Sequence, residues 1–150
     1  MRIALGADHA GYDLKTLVAS ALTGWGYEVL DLGTENANDS VDYPDFGEAV
    51  GRAVASGRAQ LGVAICGSGI GISIAANKVA GVRAALVHDV TSARLAREHN
   101  HANVLCLGSR LLEPSVALAA LEAWLTTTPG EGRHLNRIEK LNALDERIDI

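Results

Sequence analysis

The run Cys66-Gly67-Ser68-Gly69-Ile70-Gly71 holds the residues of this sequence best suited to chemistry. Its glycines allow a tight turn that presents backbone N–H groups at a helix start, where partial positive charge gathers. Such a cradle holds a phosphate or an oxyanion, and a cysteine at its entrance can act as base or nucleophile in its thiolate form. An equally open reading makes Cys66 a small buried residue and the glycines a plain strand-to-helix turn. Asp8-His9 closes an apolar strand, where polar side chains face a cleft, although Asp8 could equally cap the helix that follows. His99-Asn100 falls at a helix end with His101 close behind, and helix-end histidines commonly do no more than neutralise the dipole. Arg133 and Arg137 share a face if their helix has begun, and with Arg110 at a strand end they could clamp a phosphate. They could also be ordinary surface arginines. Cys106 sits inside an apolar strand and reads as core, while His88 and His134 stay open.

Two nucleotide motifs are approached and missed. Gly67-x-Gly69-x-Gly71 resembles a dinucleotide fingerprint, with Asp89 roughly where the ribose-binding acid would fall. Its third glycine comes one residue early, however, and the loop follows the third strand rather than the first. Gly6 to Gly11 has the outer spacing of a phosphate loop, but Tyr12-Asp13 stands where Lys-Ser/Thr is required.

These residues need a scaffold, and the hydrophobic pattern supplies one. Strands are predicted at Ile3 to Gly6, Tyr27 to Leu32, Leu61 to Ile65, Val82 to Val87 and Val104 to Leu107. Helices are predicted from Tyr12 to Leu22, from Pro44 to about Ala55, from the glycine loop to about Lys78, from Thr91 to Glu98 and from Ser115 to Leu125. A polar, turn-rich stretch runs from Thr34 to Asp42, and a last helix is expected from Asn136 to Ile148 after the Pro129-Gly130-Glu131-Gly132 break. Strand and helix alternate, so right-handed crossovers should build a single-domain, three-layer α/β/α fold across residues 1–150. Its centre would be a Rossmann-like open five-stranded parallel sheet, closed by a C-terminal helix. Ligands of such sheets gather at the carboxyl ends of the strands, where Asp8-His9, the 66–71 loop, His88-Asp89 and Gly108-Ser109-Arg110 fall.

Composition agrees. Hydrophobic residues make up 48% and charged residues 21% of 150, a globular profile. Aromatics are only 4%, so the core should be built from Ala, Val, Leu and Ile. A net charge of −5 argues against a nucleic-acid surface, and an anionic ligand would need a local basic cluster. Cys66 and Cys106 form no CxxC pair and no zinc-ligand spacing, so no metal is expected. Met1 leads directly into a strand with no room for a signal peptide, and no apolar run approaches the ~20 residues of a membrane span. A cytoplasmic protein is the expectation.

Several motifs, met in order, carry a family resemblance. They are Gly6-Ala7-Asp8-His9-Ala10-Gly11, Asp42-Tyr43-Pro44, Cys66 to Gly71 and Ile74-Ala75-Ala76-Asn77-Lys78. His99-Asn100, Leu107-Gly108-Ser109-Arg110 and Gly132-Arg133-His134 followed by Arg137 complete the set. Together they resemble the family of ribose-5-phosphate isomerase B and the galactose-6-phosphate isomerase subunits, over nearly the whole chain. The resemblance implies a cofactor-free aldose–ketose isomerase that interconverts D-ribose 5-phosphate and D-ribulose 5-phosphate through an enediolate, in the non-oxidative pentose phosphate pathway. It implies Cys66 as the proton-shuttling base, with the backbone of Gly67, Ser68, Gly69, Ile70 and Gly71 and the Ser68 hydroxyl holding the enediolate oxygen. It implies His99 as the ring-opening acid–base, Asp8 and Asn100 on sugar oxygens, and His9, Arg110, Arg133 and Arg137 around the phosphate. Tyr43 is a further sugar neighbour. Some members use a glutamate one turn into the glycine-loop helix, where this sequence has Ser73, Ile74 and Ala75; it falls on the cysteine branch. A homodimer or homotetramer with shared active sites is also implied. The competing expectations are the same chemistry on allose or galactose 6-phosphate, and a non-catalytic nucleotide-binding module.

Overall fold

The computed structural model describes residues 1–147. In chain order the elements are β1 (Arg2–Ala7), α1 (Tyr12–Gly24), β2 (Glu28–Asp31), α2 (Tyr43–Ala55), β3 (Leu61–Cys66) and α3 (Ile70–Asn77). There follow β4 (Ala84–Leu86), α4 (Val90–Asn100), β5 (Val104–Gly108), α5 (Pro114–Thr126) and α6 (Arg133–Leu144). The strands lie parallel in the order β2-β1-β3-β5-β4. Among the described residues, no helix is long and apolar enough to cross a membrane.

The strand order decides which face each helix covers. Right-handed crossovers that step one way across a parallel sheet lie on one face, and those that step back lie on the other. The β2-to-β3 and β3-to-β4 connections step the same way, so α2 and α3 share a face. The β1-to-β2 and β4-to-β5 connections step back, placing α1 and α4 opposite, with α5. The side chains follow the two-residue period of the strands. Ile3, Leu5, Val63, Ile65, Leu105 and Leu107 pack under α1, α4 and α5, while Ala4, Ala64, Cys66 and Cys106 pack under α2 and α3. The second set is the smaller, which lets α2 and α3 lie close on the sheet.

The differences from expectation are local. Trp124 is the largest fully buried side chain, so the core is not Ala, Val, Leu and Ile alone. Its ring is apolar enough to bury because the indole N–H donates to the Ala102 carbonyl at 3.2 Å. The fourth strand shortens to three residues, because Val82 turns back on Val79 and Asn103 Oδ1 accepts the Arg83 N–H. The last helix opens three residues early, at Arg133, immediately after Gly132 at φ +65°. That start puts Arg133 and Arg137 on one helical face. The expected end at Ile148 lies outside the described residues.

Candidate active site

At the carboxyl ends of β1, β3 and β5 lies a cleft of about 350 Å³ lined by Asp8, His9, Tyr43, Cys66, Gly67, Ser68, Gly71 and Arg110. Cys66 is the last residue of β3, beside Gly108 of β5. Strand parity turns its side chain toward α2 and α3, and its Sγ accepts the Gly69 N–H at 3.2 Å. Gly69 makes this turn at φ +77°, a conformation that costs a side-chain-bearing residue strain. The N–H groups of Gly67 and Ser68 donate to no group among the described residues. In the first turn of α3 the Ile70 N–H donates to Ser68 Oγ at 3.2 Å, while the Gly71 and Ile72 N–H groups have no intrahelical partner. The cleft therefore carries donors aimed at no protein acceptor, the arrangement that receives an oxyanion.

Two glycines in this loop are set by what packs on them. A Cβ on Gly67 would stand 2.9 Å from Nη1 of Arg110, and one on Gly71 would stand 2.5 Å from Cζ of Tyr43. The guanidinium and the phenol ring thus lie directly against backbone that only glycine leaves bare. Ser109 holds the three strand ends together, its hydroxyl donating to the Ala10 carbonyl at 2.7 Å and facing the Cys66 carbonyl at 3.3 Å.

Asp8 turns out to satisfy both of its readings. Its Oδ1 accepts the Gly11 N–H at 3.0 Å, capping the short turn before α1, while the carboxylate still lines the cleft. His9 accepts the Val41 N–H on Nδ1 at 3.1 Å, so the neutral ring carries its proton on Nε2 and is a donor there. The loop between β2 and α2 therefore sets which way His9 presents its proton.

The remaining predicted residues lie elsewhere. The eleven residues of α4 run about 16 Å back along the sheet from the end of β4. They deliver His99 and Asn100 to the amino-terminal edge, where Asn103 accepts from Gly62 near the start of β3. There His99 stacks on His134, with ring centroids 4.6 Å apart and planes 15° from parallel. Arg133 and Arg137 flank that stack. Burial first, and then His99, Arg133 and Arg137, hold the His134 imidazole below its ordinary value against the pull of Glu98. Asn100 lines a separate groove of about 480 Å³ between the start of β4 and α6. Arg83 fastens this region, donating to the Asn100 carbonyl at 3.2 Å, the His101 carbonyl at 3.1 Å and Asn142 Oδ1 at 2.9 Å.

One chain thus gathers Asp8, His9, Tyr43, the Cys66–Gly71 loop and Arg110 in one place, and His99, Asn100, Arg133 and Arg137 in another. Ser109 and Arg83 tie these clusters in place, and sequence reading assigned neither a role. Serines and arginines at loop positions are common, and only tertiary contacts single these out. His134 stayed open for the same reason. Among the described residues no three His, Cys, Asp or Glu side chains group as a metal site would require.

Comparison with known proteins adds independent findings. The family described as Ribose/Galactose Isomerase matches residues 3–141. Ribose-5-phosphate isomerase B of Escherichia coli is 43% identical over 146 residues, covering 97% of this chain and 97% of that protein. The structure of ribose-5-phosphate isomerase B from Clostridium thermocellum superposes with a TM-score of 0.96 at 48% identity, covering 98% of this chain and 99% of that one. The Mycoplasma genitalium enzyme, solved with bound ribulose 5-phosphate, gives a TM-score of 0.93 at 39% identity over 97% of this chain and 96% of that one.

Proposed function

The chain belongs to the ribose/galactose isomerase family, and from that premise we propose that it interconverts D-ribose 5-phosphate and D-ribulose 5-phosphate with Cys66 as the base. The observation that carries the proposal is the placement of Cys66 Sγ, which accepts the Gly69 N–H, in a cleft that also holds Arg110 and His9. The ribulose 5-phosphate bound to the M. genitalium enzyme supports the choice of substrate.

A hydrogen beside a carbonyl is weakly acidic, so its removal needs a placed base and a home for the negative charge. The Cys66 thiolate takes the proton from C2, and the electron pair moves toward C1 so that its oxygen becomes anionic. The Gly67 and Ser68 N–H groups, with the first turn of α3, receive that oxygen; each donor of this kind contributes about 3 kcal/mol in the transition state. The hydroxyl proton passes from O2 to O1, and Cys66 returns its proton to C1. The Gly69 N–H already aimed at Sγ bonds a thiolate more strongly than a thiol. Asp8 and Tyr43 contact the sugar, and His9 Nε2–H and Arg110 face the phosphate end.

His99, Asn100, Arg133 and Arg137 join this chemistry through a second copy of the chain. We infer a homodimer in which the His99 cluster of one protomer completes the Cys66 cleft of its partner. The exposed apolar residues support this: Tyr43 lines the cleft, Ile70 and Ile74 lie on the helix that follows its loop, and Leu135, Leu141 and Leu144 lie on α6 with His134. A two-fold axis would bring each set onto its complement twice. Ring opening by His99 and phosphate binding by the two arginines follow in the assembled site. A reducing, cytoplasmic setting suits a free-thiol base, and both cysteines are free.

The test is a coupled assay on ribose 5-phosphate, with and without a chelator, run beside allose and galactose 6-phosphates. Turnover of the pentose that survives chelation is the expected result. Preference for a hexose phosphate, which the family description leaves room for, would move the substrate and keep the mechanism. Saturable nucleotide binding without any turnover would refute the enzyme reading.

A further inference from the structure

We propose that His134 is a positioning residue, holding the His99 imidazole in the orientation that ring opening requires. The inference rests on the reading of His99 as the ring-opening acid–base. Two features of the structure carry it. The rings lie face to face at 4.6 Å and 15°, within the range of favourable aromatic stacking. Behind His134 stands Gly130, where a Cβ would come within 2.9 Å of His134 Cδ2. Gly130 is pinned to the helix of His99 at both of its polar groups: its N–H donates to the Glu98 carbonyl at 2.9 Å, and its carbonyl meets His101 Nε2 at 2.6 Å. His134 therefore touches both the ring it stacks on and a backbone segment fastened to the same helix.

Docking of α6 does not explain a parallel ring. That helix buries only His134 and Ile138, and an aliphatic side chain would fill the first position. What a flat ring adds is control over the tilt of its neighbour. Opening the furanose breaks the C1–O4 bond; the anomeric hydroxyl gives up a proton and O4 receives one, so no charge or electron is left over. The acid–base must reach both oxygens, and a tilted ring misses one of them. The charged groups facing the pair are Arg133 and Arg137 from α6 and Glu98 from α4. Within them a neutral His134 puts no like charge against His99 when His99 holds the proton.

The experiment uses full-length His134→Leu and His134→Phe. Two rates are compared: turnover of ribose 5-phosphate, which must open a ring, and solvent deuterium exchange at C1 of ribulose 5-phosphate, which has none to open. The leucine variant should lose roughly 10- to 100-fold in turnover, the scale of a misplaced reacting group, with exchange within about twofold of the parent. The phenylalanine variant should recover most of the turnover. The upfield ring-current shift of the His99 ring protons should persist with phenylalanine and vanish with leucine. Equal behaviour of the two variants, or a joint fall of turnover and exchange, overturns the proposal. If the leucine variant does not fold, the phenylalanine variant decides, since loss of its ring-current shift and turnover would overturn the proposal. His99→Ala, run in parallel, separates the two ideas. If it leaves the turnover-to-exchange ratio unchanged, the reading of His99 fails and this inference with it. If it shifts the ratio while His134→Leu does not, only the positioning role fails.

Discussion

Cys66 and Cys106 sit on neighbouring strands and the same sheet face, yet they should behave oppositely. Cys106 pairs with Ala64, fully enclosed, and burial first and the neighbouring Cys66 second push its thiol well above the ordinary range. Cys66, two positions further along, reaches the cleft with a donor on its sulfur. Iodoacetamide should therefore modify Cys66 first, and ribose 5-phosphate should slow it; mass-spectrometric mapping of the alkylated peptide checks this. Cys66→Ser should fold as the parent does and lose about 10²- to 10⁴-fold in turnover, the usual worth of a placed base. It should also stop exchange of the substrate C2 hydrogen with solvent deuterium. Near-normal turnover in the serine variant, or inactivation that tracks Cys106 alone, would assign the proton shuttle to another group. Replacing Arg133 or Arg137 with Ala should chiefly raise KM, since a charge-assisted hydrogen bond contributes about 1.5–3 kcal/mol. Unchanged KM in both would make them surface charges.

At the scale of elements, α6 is held to the body of the protein by a short face, with His134 and Ile138 as its buried side chains. His134 takes up a proton less readily folded than unfolded, where a histidine titrates near ~6.5. The unfolded chain then binds more protons as pH falls through that value, so stability rises with pH and is lost below it. The docking of α6 should be firm at neutral pH and loosen on acidification from about pH 6.5 downward. Hydrogen exchange of the α6 amides across that range measures it. His134→Phe, which cannot titrate, should flatten the dependence, and an unchanged slope would place the acid sensitivity elsewhere.

At the scale of the whole molecule, the separation of the two clusters makes a prediction that no single-chain site can meet. Cys66→Ser and His99→Ala proteins, each nearly inactive on ribose 5-phosphate alone, should recover activity when unfolded and refolded together. A mixed dimer holds one site damaged twice and one site intact. Random pairing of equal amounts makes half of the dimers mixed, so recovery should approach about a quarter of the parental activity. No recovery, with mixed dimers confirmed by mass, would mean that both clusters serve a site within one protomer.

By itself the sequence determined the alternation of strands and helices, because the period of apolar residues is a local property. Leu61 to Ile65 read as a buried central strand, with Cys66 at its end beside a glycine turn, and the structure has β3 there. The turn that follows was legible for the same reason: Cys66 through Gly71 are adjacent, so the strand-to-helix turn they make needs no long-range contact to be read. Strand order was not legible, since nothing in Val104 to Gly108 says that β5 inserts between β3 and β4. That insertion brings Ser109 and Arg110 to the Cys66 loop. Likewise the residues around His99 marked only a helix end, and its link to Cys66 came from the family resemblance alone. Only the direction of α4, which returns from the carboxyl end of the sheet to the amino end, sends it away from Cys66 and onto His134. Local periodicity chooses the elements; long-range packing chooses their neighbours, and a site assembled from several elements depends on the second.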